Sequence, residues 1–162
     1  MLRSPDPTRT LQTRTAPVWD PIRKKYVLWV LGITPNVWES ADGLNWSPLG
    51  STNLPIEMVV YDDRETDRSR RFKSPLRNEG FAVSADGISW TKLDIPKIPS
   101  SDEANFSLDR DTGLFIHTVK RGGPHGRALA IATSPDFRNW TDLGTVFHAD
   151  DEDQKRGRDN IA

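Results

Sequence analysis

A seven-residue phrase occurs three times in this chain of 162 residues, and its spacing restricts the possible folds more than any other feature. It reads SADGLNW at 40–46, SADGISW at 84–90 and SPDFRNW at 134–140. Serine, aspartate and tryptophan keep fixed offsets, and the closing tryptophans are 44 and then 50 residues apart. Self-similarity at such a period indicates that one structural unit is repeated along the chain.

A second matching feature lies upstream of each copy, an aspartate-led polar turn between two short apolar runs. The aspartates are Asp20, Asp62 and Asp109. Each unit therefore contains four short strands within about 40 to 50 residues, which is typical of a β-propeller blade. We predict an all-β chain, a β-propeller-like array of about three four-stranded antiparallel blades. The repeat units span approximately 13–50, 55–95 and 102–147 of a single, incomplete propeller domain over residues 1–162.

The residue types of the phrase suit a tight turn. Asp-Gly is a favoured hairpin turn because glycine accepts a positive φ and aspartate can bond to its own backbone. The serine can hydrogen-bond neighbouring amides. In the third copy Phe137 replaces the glycine, while Pro135 supplies the φ of a type I turn. We interpret the phrase as structural, with the tryptophan starting the last strand and packing against the next blade.

Other noticeable residues also have structural interpretations. The three repeated aspartates are expected to form turns. Trp19 matches Tyr61 and Leu108 of the other units, so we expect it in the core of a blade. The three histidines share no metal-ligand spacing, and we expect neither a metal nor an organic cofactor.

Composition narrows the classes of partner. The net charge of −1 argues against a nucleic-acid-binding surface, and the absence of cysteine excludes disulfides. The longest apolar run, at 26–33, is too short to span a bilayer, so no membrane partner is expected. The start of the chain, MLRSPDPTRT, lacks the apolar region of a signal peptide. The sequence does not decide the cellular location, and a longer parent protein that is secreted or periplasmic is one of the open alternatives.

The strand and turn motifs together resemble the five-bladed propellers of glycoside hydrolase families 43 and 32. The motifs are WDP, KYVLWV, SADGLNWSPL, EGFAVSADGISWTKL and ATSPDFRNWTDLG, between about residues 13 and 150. The resemblance implies a glycosidase-like protein that hydrolyses or recognises the glycosidic linkages of a polysaccharide. Two alternatives stay open: a non-catalytic carbohydrate-binding or interaction module, and a sialidase-type propeller fragment. The sialidase Asp-box has an extra residue between aspartate and glycine, so it matches less well.

The same resemblance implies where the site would lie. Glycosidases need two carboxyl groups beside the scissile bond, and in these families they lie near the start of the innermost strands. Those places hold Arg14 in the first unit, Glu57 in the second, and Asp102 and Glu103 in the third. We therefore take the three acids as candidate catalytic residues, and Arg14 and Arg121 as candidate substrate-binding residues. Because the first unit offers an arginine instead of an aspartate, binding without hydrolysis is also an expected outcome.

Three blades are fewer than the five of the resembled propellers. We expect either a piece of a longer propeller or an assembly of several chains. Open strand edges and uncovered apolar faces favour self-association. The expected partners are thus a carbohydrate and further copies of the chain.

Overall fold

The computed structural model describes residues 8, 10–102 and 104–155, and these form three four-stranded antiparallel sheets. The prediction of an all-β chain with three four-stranded units is therefore confirmed. In the described residues, the one α-helix is α1 (Asp151–Lys155), and a short 3-10 turn covers Arg68–Arg70. The strands are β1 (Val18–Asp20), β2 (Lys25–Trp29), β3 (Val37–Ser40), β4 (Ser47–Gly50), β5 (Val60–Tyr61), β6 (Phe72–Leu76), β7 (Gly80–Ser84), β8 (Trp90–Lys92), β9 (Ala104–Leu108), β10 (Phe115–Gly123), β11 (Gly126–Ser134) and β12 (Thr141–His148).

Each sheet is a meander in which consecutive strands are neighbours. The first sheet has the order β1-β2-β3-β4, the second β5-β6-β7-β8 and the third β9-β10-β11-β12. The chain divides into two compact units. The first unit contains the first two sheets, and the second contains the third sheet together with the short connection Arg77–Gly80. In the part of the chain that is described, no helix has the length and apolar character needed to cross a membrane.

The serine–aspartate phrases form the turns that the sequence predicts. In the first copy, Ser40 Oγ accepts a hydrogen bond from the Gly43 amide at 2.9 Å. Asp42 Oδ1 accepts bonds from the amides of Leu44 and Asn45 at 2.9 and 2.8 Å. These bonds join each side chain to the backbone of its own turn, so the turn can be predicted from the residue types of the phrase. The equivalent aspartate bonds are Asp86 to Ile88 and Ser89, and Asp136 to Arg138 and Asn139.

The glycine position of the phrase has left-handed backbone geometry in all three copies. Gly43 and Gly87 have φ of +75° and +74°, and Phe137 has φ of +59°. A bulky residue rarely adopts such a φ. Phe137 is 0% exposed, and its ring packs against aromatic side chains of the third sheet. Its neighbours are Phe106, Phe115 and Trp140.

The repeated aspartates of the first hairpins are turn formers, as predicted. Asp20 Oδ1 accepts the Ile22 amide at 2.9 Å, and Asp62 Oδ1 accepts the Arg64 amide at 3.1 Å. Asp109 makes equivalent bonds in the third sheet. One oxygen of each carboxylate therefore serves the local backbone.

The core of the first unit lies between its two sheets. The first sheet buries Val27, Trp29 and Val37 from one of its faces. The prediction that Trp19 lies in a blade core is wrong, because it is 44% exposed. Trp19 pairs with Tyr26 across β1 and β2, on the face opposite to Trp29, since side chains alternate along a strand.

Candidate functional site

Glu57 stands just ahead of β5, between two buried apolar residues. Ile56 and Met58 are 1% and 3% exposed, so the backbone on either side of Glu57 is fixed in the core. The Glu57 side chain keeps 17% exposure, and its Oε2 lies 3.5 Å from Nε of Arg14. The structure thus brings these two candidate residues into contact at a partly buried, polar position.

The segments that lead into β1 and β5 run beside each other. Thr15 Oγ1 donates a hydrogen bond to the Val59 carbonyl at 3.3 Å. Both strands are the first of their sheets, and each lies at a sheet edge. The contact between Arg14 and Glu57 is therefore formed by equivalent ends of two successive sheets.

Asp102 lies in the second unit, ahead of β9. Its Oδ2 is 3.0 Å from Nζ of Lys120 on β10, and its side chain is 49% exposed. The amide of the preceding Ser101 donates to the Lys120 carbonyl at 2.9 Å, which holds this segment along β10. Asp102 is consequently an exposed carboxylate beside a cation. Glu103 lies outside the described residues.

Arg121 is engaged by two groups of its own unit. Its Nε donates to the Pro99 carbonyl at 3.0 Å, and its Nη2 lies 2.7 Å from Oδ2 of Asp142 on β12. The hydrogen bond from Arg121 holds the pKa of Asp142 below its ordinary value. The guanidinium therefore links β10 to the loop ahead of β9 and to β12, while 27% of its side chain stays exposed.

A buried ionic cluster in the second sheet was not predicted. Lys73 on β6 is 0% exposed. Its Nζ lies 3.0 Å from Asp62 Oδ2 and from Glu65 Oε2, and 2.9 Å from the Arg70 carbonyl oxygen. Burial opposes ionisation of Glu65, but hydrogen bonds from Lys73 and from the Asp67 amide keep its pKa below the ordinary value.

The geometry of this cluster is that of a structural anchor. An ammonium group has three donors, and three protein oxygens surround Nζ of Lys73. The cluster fixes the arginine-rich loop onto β6. The sequence does contain a signal for it, since a lysine inside an apolar strand follows four acids in the preceding loop.

The third sheet contains a buried histidine among aromatic rings. His117 is 5% exposed, and its ring lies 6.2 Å from those of Phe106 and Trp140. Its Nδ1 is 3.0 Å from the Asn105 carbonyl oxygen. Burial lowers the pKa of His117, which favours a neutral imidazole. Among residues 8, 10–102 and 104–155, no three or more His, Asp or Glu side chains are grouped so as to hold a metal ion.

The described candidate residues thus form polar pairs, among them Arg14 with Glu57 in the first unit and Asp102 with Lys120 in the second. Each pair joins a carboxylate, which accepts hydrogen bonds, to a cation, which donates them. No known family model matches this chain, and no curated protein matches it either.

Proposed function

We propose that this chain is a glycosidase-like propeller protein that recognises a polysaccharide, and that Arg14 and Glu57 contact the sugar. The observation that carries this proposal is the contact between these residues at equivalent ends of two successive sheets. In a propeller arrangement the first strand of each sheet is innermost. The residues ahead of β1 and β5 then face the central, ligand-binding side.

The surroundings of the candidate acids favour recognition over hydrolysis. A glycosidase needs one carboxyl group that stays protonated, and such acids lie in apolar surroundings. Glu57 instead lies 3.5 Å from a guanidinium nitrogen, and Asp102 lies 3.0 Å from an ammonium nitrogen. A carboxylate beside a cation offers both an acceptor and donors to the hydroxyl groups of a sugar.

Hydrolysis is the second candidate function, and one observation favours it. Glu57 stands between two buried residues, so the backbone that carries its carboxylate is fixed, and a catalytic base must be held in position. In this mechanism the Glu57 carboxylate takes the proton of the attacking water. The water oxygen bonds to the anomeric carbon as the glycosidic bond breaks, and an acid, for which Glu103 is the sequence candidate, protonates the leaving sugar oxygen.

Binding measurements with a matched control test the first candidate. The wild type and Glu57→Gln are titrated with soluble plant-type and microbial polysaccharides by calorimetry. Because a hydrogen bond to a charged group contributes about 1.5–3 kcal/mol, we expect Glu57→Gln to weaken binding about 10- to 100-fold. Glu39→Gln is the control, since Glu39 is 16% exposed and pairs with Lys25 in the same unit. The control should bind like the wild type.

A panel of aryl glycosides separates the two candidates. Binding without turnover supports recognition, whereas turnover that is lost in both Glu57→Gln and Glu103→Gln supports hydrolysis. Turnover that is unchanged in both variants contradicts the second candidate. A folded wild type that neither binds nor hydrolyses any of these polysaccharides contradicts both.

A further inference from the structure

The first sheet exposes a face whose equivalent in the second sheet is buried. Trp19 and Tyr26 pair across β1 and β2 with ring centroids 5.0 Å apart, edge to face. Tyr61 and Phe72 pair across β5 and β6 with the same 5.0 Å separation. The first pair is 44% and 36% exposed, and the second pair is 3% and 0% exposed. We name the side of each sheet that bears these rings its aromatic face, and the other side its reverse face.

The aromatic face of the second sheet is covered by the reverse face of the first. Trp29 on β2 donates its Nε1 hydrogen to the Gly87 carbonyl at 2.9 Å. Its ring centroid lies 6.0 Å from that of Phe72 and 6.4 Å from that of Trp90. The chain therefore contains one complete example of how two of its repeats pack, reverse face on aromatic face.

The reverse face of the third sheet has the same register and is partly exposed. Thr118 pairs with Ile131 across β10 and β11, just as Trp29 pairs with Val37 across β2 and β3. Trp29 and Val37 are 0% exposed, whereas Thr118 and Ile131 are only half-buried. In the part of the chain that is described, the aromatic face of the first sheet and the reverse face of the third sheet are thus both partly exposed.

The side-chain sizes on these two open faces are complementary. The aromatic face of the first sheet carries Leu28 and Trp38, at the positions where the second sheet has Ser74 and Ala82. Ser74 and Ala82 lie on the aromatic face of the second sheet, which packs against Trp29 and Val37 on the reverse face of the first sheet. The larger residues of the first sheet suit a partner whose two side chains have a smaller combined volume, and the third sheet provides a threonine in place of the tryptophan and an isoleucine in place of the valine.

We propose that a second copy of this chain docks the reverse face of its third sheet, around Thr118 and Ile131, onto the aromatic face of the first sheet, around Trp19, Tyr26 and Trp38. The contact joins two different patches, so it is head to tail, and each chain has one patch of each kind. Burying two aromatic rings that are now exposed supplies the driving force. The proposal does not depend on the function proposed above.

Sedimentation velocity over a range of concentrations tests the contact. The wild type should show mass that rises with concentration. Trp19→Lys places a charge on the aromatic face, and Thr118→Arg places one on the reverse face of the third sheet. We expect each variant alone to associate at least tenfold more weakly. Thr145→Arg, on the exposed strand β12, is the matched control and should associate like the wild type.

Mixing the two variants gives the sharper result. The Trp19→Lys chain keeps an intact third sheet, and the Thr118→Arg chain keeps an intact first sheet. Their equimolar mixture should therefore form dimers with one chain of each kind. Circular dichroism verifies that each variant is folded, and Tyr26→Glu replaces Trp19→Lys if that variant unfolds.

Several outcomes would overturn the proposal. A wild type that stays monomeric at the highest concentration excludes the contact. A mixture that remains monomeric excludes a head-to-tail arrangement. Equal loss of association in Thr145→Arg shows that chains pair through the edge at β12. A monomer whose tryptophan fluorescence responds to oligosaccharide, and responds less in Trp19→Lys, assigns the aromatic face to sugar.

Discussion

The first two serine–aspartate turns provide a matched pair of glycines for mutation. Gly43 and Gly87 occupy the same position of the phrase, with φ of +75° and +74°. They differ in what a Cβ atom would meet. At Gly43 the nearest atoms are those of the Tyr26 ring at 4.0 Å, whereas at Gly87 Cζ2 of Trp29 lies at 2.9 Å.

The expected cost of alanine separates into a shared part and a local part. A left-handed backbone costs an alanine about 1–2 kcal/mol, and this part is common to Gly43→Ala and Gly87→Ala. A contact of 2.9 Å requires Trp29 to move, and overpacking in a core costs about 1–3 kcal/mol more. We therefore expect the free energy of unfolding to fall by about 1–2 kcal/mol for Gly43→Ala and about 2–5 kcal/mol for Gly87→Ala.

Urea unfolding followed by circular dichroism and tryptophan fluorescence measures both values. The two glycines belong to the same compact unit, so both variants report one transition. The protein concentration should be low enough that chains do not associate. Gly43→Asn is a useful control, since asparagine tolerates positive φ and should cost less than alanine. Equal destabilisation by the two alanines, or a greater effect at Gly43, would refute the packing of Trp29 over Gly87.

Two further predictions concern buried charge and pH. Lys73→Met should lower the free energy of unfolding by about 3–5 kcal/mol at neutral pH, because Asp62 and Glu65 lose their cation. The folded pKa of Glu65 is depressed, so its stabilising contribution is present above its unfolded pKa and is lost in acid. The loss of stability in Lys73→Met should therefore become smaller below about pH 4. A loss of stability that does not change with pH would contradict this account. Burial lowers the pKa of His117, so the folded protein binds fewer protons than the unfolded chain, and stability should fall as pH drops below about 6.5. His117→Leu should reduce that loss, which thermal melts at pH 7.5 and 5.5 would measure, and an unchanged loss would exclude His117 as its source.

The features that could be predicted from sequence are those decided by neighbours in the chain. The turn at Asp42 forms from bonds that span two or three residues, so its residue types alone are enough to identify it. The exposure of Trp19 depends on what covers the first sheet, which is a long-range property. Its equivalent Tyr61 is buried only because another sheet lies over it, so matching the two positions gave the wrong burial.

The candidate site shows the same division between local and long-range information. The resemblance implies a site at the segments ahead of β1 and β5, and the structure brings Arg14 and Glu57 into contact there. The salt bridge of Asp102 with Lys120 was not predicted, because it joins residues that are far apart in sequence. The buried state of Lys73 was also missed, although its ionic partners Asp62 and Glu65 precede it closely in the sequence. It follows from packing around the second sheet and from a loop that folds back over it.

The three serine–aspartate turns share one backbone geometry but differ in the side chain that lies above them, and in the third turn that side chain is Phe137. Its positive φ costs about 1–2 kcal/mol, and complete burial of a phenylalanine ring contributes about 1.5–3 kcal/mol, so the ring can hold the backbone in that geometry. In the third sheet, the place above the turn is filled by this ring. Above Gly87 the same place is filled by Trp29 from the adjacent sheet. At Gly43 there is no aromatic side chain at the turn position, and among the described residues no side chain from another sheet lies close to it. The space above the first turn is therefore large enough for a side chain from another sheet.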